Sequence, residues 1–172
     1  FAALSLWLTP AQARRANEFA WGPIAEVAIL FAGIFITLTP AIGAIAAGPD
    51  WPAAPLFALL MTGGAPNNLL FYAVIGSLSA ILDNAPTYLV FFDFAGGDAA
   101  RLAGDLATTL AAISAGAVYF GGLTYLGNAP NLVVKSLAEA HGVRMPSFFA
   151  FTGLAVLLAG PWYALVGVIF FR

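Results

Sequence analysis

The chain of 172 residues is 62% hydrophobic and 8% charged, with a formal net charge of −2. Soluble domains are about half apolar and about one quarter charged, so this composition indicates an integral membrane protein whose main partner is the lipid bilayer. The small net charge and the lack of a basic patch exclude a nucleic-acid partner. With one histidine and no cysteine, we expect neither a zinc site nor a haem, and therefore no cofactor.

The first predicted element is a spanning helix over residues 23–47. Pro23 suits its first turn and Pro40 should kink it. The segment is longer than a hydrocarbon core of about 30 Å requires, so we expect it to tilt. Residues 1–8 have the pattern of the end of an earlier apolar segment, which predicts that the chain is the C-terminal part of a longer protein.

Residues 69–95 contain two apolar runs separated by Asp83-Asn84-Ala85-Pro86, and neither run is long enough to cross a bilayer. They form either one broken span or a re-entrant hairpin with the motif at its tip, and we favour the hairpin. After a polar loop at 96–105, residues 106–141 form a long helix that is broken at 127–131. Residues 146–171 form the last span, so residues 1–172 are expected to be a single all-α transmembrane domain.

Residues 82–90 and 126–134 repeat each other, because both contain Leu-x-Asn-Ala-Pro. A helix that is broken inside a bilayer leaves carbonyl and N–H groups unpaired, which is tolerated only where they line a cavity or lie within protein. The carbonyl ends attract cations and the N–H ends attract anions. Two such breaks predict a binding site built from interrupted helices. The alternative is a pair of proline kinks whose asparagines bond to neighbouring helices.

The candidate site residues carry oxygen and surround the helix breaks that Pro86, Gly127 and Pro130 mark. Asn84 and Asn128 are each expected to cap the half-helix that follows. Hard oxygen donors of this kind suit Na⁺, and Asp83, Asn84 and Asn128 are the first candidates for that ion. The full set of candidates for substrate or ion binding is Asp83, Asn84, Thr87, Thr124, Asn128 and Asn131.

Asp83 carries most of the functional prediction. An ionised carboxylate within a bilayer is costly, so such residues are functional candidates by default. Shielding from water favours the protonated form of a carboxyl group, whereas a bound cation favours the ionised form. One carboxylate can therefore exchange H⁺ for Na⁺. The alternative is an aspartate at the membrane edge that only caps a helix.

Four segments together resemble a known family: residues 17–28 (NEFAWGPIAEVA), 82–92 (LDNAPTYLVFF), 124–135 (TYLGNAPNLVVK) and 144–149 (RMPSFF). They are similar to the second half of bacterial proteins known as sodium/proton antiporters or citrate transporters, which belong to the ion transporter superfamily. The resemblance extends over nearly the whole chain.

The resemblance implies a fold of two inverted repeats, each with a re-entrant hairpin and a discontinuous helix. Substrate and coupling ion would bind between hairpin tip and helix break. This chain would be the second repeat, its partner would be a missing N-terminal repeat, and the protein would be a homodimer in the bacterial inner membrane. Relatives that carry dicarboxylates have Ser-Asn-Thr at both tips, so Asn84 and Asn128 are the residues that carry over.

Three functions remain open at this stage. Na⁺/H⁺ antiport, with Asp83 as the shared carboxylate, leads because Lys135 is the one basic side chain close to a break. Na⁺- or H⁺-coupled transport of an organic anion such as citrate is the alternative, and would require cationic side chains or several helix N-termini at the site. A non-transporting membrane subunit is an alternative of another class. The sequence shows no nucleophile–base pair of the kind that would indicate an enzyme.

Overall fold

The computed structural model of the chain describes residues 1–16 and 58–172, together with isolated positions between 25 and 55. Two compact units are present, Phe1–Phe35 and Ile36–Arg172. In the first unit, helix α1 spans Ala2–Leu8 and helix α2 spans Ala11–Ala16. Most of the predicted helix over residues 23–47 lies outside the described residues. Everything that follows concerns the second unit.

A small β-hairpin precedes the helices of the second unit. Strand β1, Met61–Thr62, pairs antiparallel with strand β2, Ala65–Pro66. The two residues between the strands, Gly63 and Gly64, have φ values of 61° and 84°. Positive φ at both positions is what a two-residue type I′ turn requires, and glycine meets it without strain.

The remaining described elements are helical, so the described part of the chain confirms a mostly helical fold. Asp98 accepts hydrogen bonds from the backbone N–H groups of Ala100 and Arg101, and this cap explains a short helix within the region that was predicted to be a polar loop. The helices are α3 (Asn68–Leu82), α4 (Asn84–Phe94), α5 (Ala99–Ala103), α6 (Ala107–Phe120), a 3₁₀ turn (Gly121–Leu123), α7 (Ala129–Ala140) and α8 (Phe148–Phe170).

The break after α6 begins earlier than the sequence pattern predicted. The helix ends at Phe120 rather than near Gly127, and the segment that follows folds back so that Gly121 and Gly127 lie in close contact. A β-carbon on Gly127 would lie only 2.8 Å from the Cα atom of Gly121, so no larger residue fits there. Helix α6 therefore has 14 residues, a length of about 21 Å.

Helices α3 and α6 form the centre of the second unit, and glycines let them approach closely. A β-carbon on Gly116 would lie 2.6 Å from the backbone oxygen of Tyr72 and 3.3 Å from the backbone nitrogen of Gly76. Phe71 and Ile75 of α3 are fully buried in the surrounding core. Small residues at a helix crossing are typical of helix packing in membranes.

Among the residues that the structure describes, α8 is the one helix that is long and apolar enough to cross a bilayer. Its 23 residues give a length of about 34 Å, against a hydrocarbon core of about 30 Å. Large apolar side chains along it, such as Phe149 and Leu157, are exposed. The Tyr72 hydroxyl donates to the backbone oxygen of Tyr163 at 3.1 Å, which ties α8 to α3.

Candidate functional site

The first break consists of one residue with an unusual backbone. Asp83 separates α3 from α4 and has φ 77° and ψ 150°. It is the one non-glycine residue with positive φ in the described part of the chain. This backbone region is essentially restricted to glycine, and another residue there stores about 1–3 kcal/mol of strain. Such strain at a half-buried carboxylate points to a functional position.

The cap of α4 differs from the prediction. Asn84 was expected to cap this helix, but the capping residue is Asp83, whose Oδ1 atom accepts a hydrogen bond from the backbone N–H of Ala85 at 3.2 Å. A cap must come from the non-helical residue before the first turn, and Asn84 is already helical. The Thr87 hydroxyl donates to the backbone oxygen of Asp83 at 2.7 Å, so both the side chain and the backbone carbonyl group of Asp83 are bonded to α4.

The second break is organised by its two asparagines. Asn128 caps α7, as predicted, since its Oδ1 atom accepts from the backbone N–H of Asn131 at 3.0 Å. The Asn131 amide nitrogen donates to the backbone oxygens of Gly121 at 3.0 Å and Thr124 at 2.9 Å. The irregular segment between α6 and α7 is therefore folded around the Asn131 side chain, which satisfies two of its carbonyl groups.

Replacing Asn131 by alanine is expected to lower the free energy of unfolding by about 2–3 kcal/mol, because two carbonyl groups lose their donor at about 1 kcal/mol or more each. Chemical denaturation in detergent measures this loss. Ser136→Ala, at an exposed position of the same helix, is the matched control and should be nearly neutral. An Asn131→Ala variant as stable as Ser136→Ala would contradict the role given to Asn131.

One hydrogen bond joins the two breaks, and a second supports it. The Thr124 hydroxyl, in the irregular segment between α6 and α7, donates to the backbone oxygen of Ala80 in the last turn of α3. The neighbouring Ser79 hydroxyl donates in the opposite direction, to the backbone oxygen of Ala117 in α6. The last turn of α3, which leads into Asp83, is therefore attached both to helix α6 and to the segment that leads into Asn128.

The site retains acceptor atoms for a cation. Asp83 uses Oδ1 in its cap, and its Oδ2 atom has no hydrogen-bond donor among the described residues. The same set of residues places no basic side chain within ion-pair distance of Asp83, since the one recorded ion pair joins Lys135 and Glu139. The unpaired carbonyl groups at the end of α3 add partial negative charge. A carboxylate in this position favours a bound cation.

The basic side chain nearest in sequence to a break is already engaged. The Lys135 Nζ atom lies 2.7 Å from Glu139 and 5.6 Å from the centre of the Tyr125 ring. Its charge is thus balanced by a carboxylate four residues further along α7. At the two breaks, the groups that remain to attract an anion are the N-terminus of α7 and the side-chain amides of Asn84 and Asn128, since the carboxylate of Asp83 caps α4.

The comparison with known families decides the class of the protein. Residues 1–171 match the family described as "Putative citrate transport". The chain belongs to this citrate transport family. Neither the curated proteins nor the solved structures contain a match. Membership of the citrate transport family confirms the predicted resemblance to citrate transporters and, with the apolar helix α8, indicates a membrane transporter; the link to sodium/proton antiporters stays a prediction.

One contributor to this arrangement was not predicted from the sequence. Ser79 was given no role, although it is fully buried and bonded across to α6. A signal existed for Ser79, because it lies four residues before Asp83 and so one helical turn away from the break. The carbonyl group of Ala80 could not be predicted as a partner from the sequence, since every residue carries a backbone carbonyl group.

Proposed function

We propose that the chain forms part of a secondary active transporter that carries citrate or a closely related organic anion together with a cation. The observation that carries this proposal is the attachment of the Asp83 break to the Asn128 break through Thr124, in a member of the citrate transport family. One break supplies a carboxylate and carbonyl groups for a cation. The other break supplies the N-terminus of α7, capped by the uncharged Asn128, for an anion.

The proposed fold is the second of two inverted repeats. Helices α3 and α4 have 15 and 11 residues, or about 22 and 16 Å, and neither crosses a core of about 30 Å. We therefore assign them to a re-entrant hairpin with Asp83 at its tip. Helices α6 and α7 form the discontinuous helix and α8 the last span, so that residues 1–172 are one transmembrane domain, the C-terminal repeat.

The charge balance favours cotransport of a cation with the anion. Citrate carries up to three negative charges, and Lys135 is already paired with Glu139. Helix N-termini each offer about half a positive charge, which does not neutralise citrate in a site of low dielectric constant. A Na⁺ ion or a proton bound at Asp83 would cancel the negative charge of that carboxylate, which would otherwise repel citrate at the same site. We therefore assign the cation to Asp83, Asn84, Thr87 and Asn128, with Asn131 holding the second break in shape.

A Na⁺/H⁺ antiporter is the second candidate. Asp83 favours it, since a carboxylate without an ion-pair partner among the described residues can bind either ion. The family match carries no support for this exchange. In either case we propose that an N-terminal repeat completes the site and that the transporter is a homodimer in the bacterial inner membrane.

Uptake of radiolabelled citrate into liposomes that contain the full-length protein tests the proposal. An inward Na⁺ or proton gradient should drive citrate accumulation, and Asp83→Asn should remove the dependence on the gradient. A change of internal pH that depends on Na⁺ and occurs equally without citrate would instead identify the antiporter. Citrate uptake that survives Asp83→Asn with its gradient dependence intact would overturn the role of the carboxylate.

A further inference from the structure

The Thr124 hydroxyl has no capacity left for a ligand. Its oxygen donates to the backbone oxygen of Ala80 and accepts from the backbone N–H groups of Leu126 at 3.1 Å and Gly127 at 2.9 Å. A hydroxyl group offers one donor and two acceptor positions, so all three are occupied. The residue is 5% exposed, which keeps water from competing for these bonds.

The partners of Thr124 belong to two parts of the proposed site. Ala80 lies in the last turn of α3, and its carbonyl is one of the four that a helix end leaves without an intrahelical donor. Leu126 and Gly127 immediately precede the capping residue Asn128. The Thr124 backbone oxygen also accepts from the Asn131 side chain at 2.9 Å. One residue therefore bonds to the segments that lead into both breaks.

We propose that Thr124 is a positioning residue, which fixes Asp83 relative to Asn128 and does not itself contact the transported ion or anion. This inference rests on the proposed function, since it names what holds the two halves of that site in register. Thr124 was predicted to be a ligand, and this role instead makes it a residue that holds the ligand residues in position. The distance between the two breaks, and through it the affinity for both transported species, depends on one hydroxyl group.

Ser79 provides a matched control for a purely structural role. Its hydroxyl is buried, donates to a backbone carbonyl group, and links the same two parts of the fold as Thr124. It differs in one respect, because it bonds to Ala117 inside helix α6 and to no group of the segment 124–128. Loss of the Ser79 hydroxyl removes one buried hydrogen bond, whereas loss of the Thr124 hydroxyl removes three and releases the second break.

The test measures the separation of the breaks and the affinity for citrate in the same variants. The 172 residues contain no cysteine. In full-length protein whose remaining part is also free of cysteine, Leu82→Cys and Leu126→Cys, at positions 57% and 53% exposed, place one spin label beside each break. Electron paramagnetic resonance then gives the distance distribution in full-length protein. Thr124→Val should broaden it and raise the half-saturating citrate concentration for uptake at least tenfold. Thr124→Ser should restore both values.

Ser79→Ala should lower the unfolding temperature, although by less than Thr124→Val because it removes one hydrogen bond instead of three. The label distance and the citrate half-saturation should stay within twofold of wild type. An unchanged distance distribution in Thr124→Val, or equal broadening in Ser79→Ala, would overturn the inference. Failure of the proposed function would be distinguishable, because the wild-type protein would then take up no citrate, whatever distance the spin labels give.

Discussion

Replacing Asp83 by glycine is expected to leave the protein at least as stable as the wild type and to abolish cation-driven citrate transport. Glycine adopts the φ of 77° and ψ of 150° found at this position without the strain of about 1–3 kcal/mol that aspartate stores there. The loss of the cap costs only a few tenths of a kcal/mol when glycine replaces aspartate. Glycine also gives the unfolded chain more freedom, which lowers the free energy of unfolding by about 0.5–1 kcal/mol. The expected net effect is a gain of about 1 kcal/mol.

Asp83→Ala is the variant that separates strain from chemistry. Alanine keeps the unfavourable backbone and loses the cap, which costs about 1 kcal/mol, so the two variants should differ by about 2 kcal/mol in the free energy of unfolding. Neither should transport. Denaturation in detergent and citrate uptake in liposomes measure the two effects independently. Equal stability of the glycine and alanine variants would show that the backbone at Asp83 is not strained, and transport by either would remove the carboxylate from the mechanism.

Replacing Gly116 by alanine is expected to cost about 2 kcal/mol of stability. The added β-carbon would lie 2.6 Å from the backbone oxygen of Tyr72, and a backbone atom cannot rotate away as a side chain can. Helices α3 and α6 must then move apart. Overpacking of this kind costs about 1–3 kcal/mol, and we expect a cost at the upper end of that range. The better helix propensity of alanine returns about 1 kcal/mol.

Two other glycines calibrate the Gly116 result. A β-carbon on Gly153 in α8 would meet nothing within 4 Å, so Gly153→Ala should be neutral or stabilising. A β-carbon on Gly76 would meet the ring of Phe120, a side chain that can move, so Gly76→Ala should lie between the two. Thermal unfolding of the three variants gives the order directly. Gly116→Ala as stable as Gly153→Ala would contradict the close crossing of α3 and α6.

The local chemistry of the breaks could be predicted where it depends on neighbouring residues. Asn128 was expected to cap α7 because an asparagine before Ala-Pro is a typical N-terminal signal, and the structure places its side chain on the N–H of Asn131. The same reasoning failed at Asn84. The backbone of Asp83 turns into a glycine-like conformation, and sequence patterns assign such conformations to glycine rather than aspartate.

Contacts between distant segments could not be predicted in the same way. The close approach of Gly121 to Gly127, within the irregular segment after α6, is likewise revealed only by the folded chain. Thr124 was expected to face a ligand because its hydroxyl lies beside a helix break. Its partner across the fold is a backbone carbonyl group of Ala80, and no residue type marks that carbonyl as a partner.

The central claim is that the two breaks form one site in which cation and anion bind together. Calorimetric titration of Na⁺ into the purified full-length protein, with and without citrate, tests it most directly, because coupling between two ligands is reciprocal. We predict that citrate tightens Na⁺ binding at least tenfold in the wild type. Asp83→Asn at one break, and Asn128→Ser at the other, which keeps a capping side chain, should each remove this effect. Na⁺ binding that is independent of citrate and unchanged by Asn128→Ser would contradict a shared site.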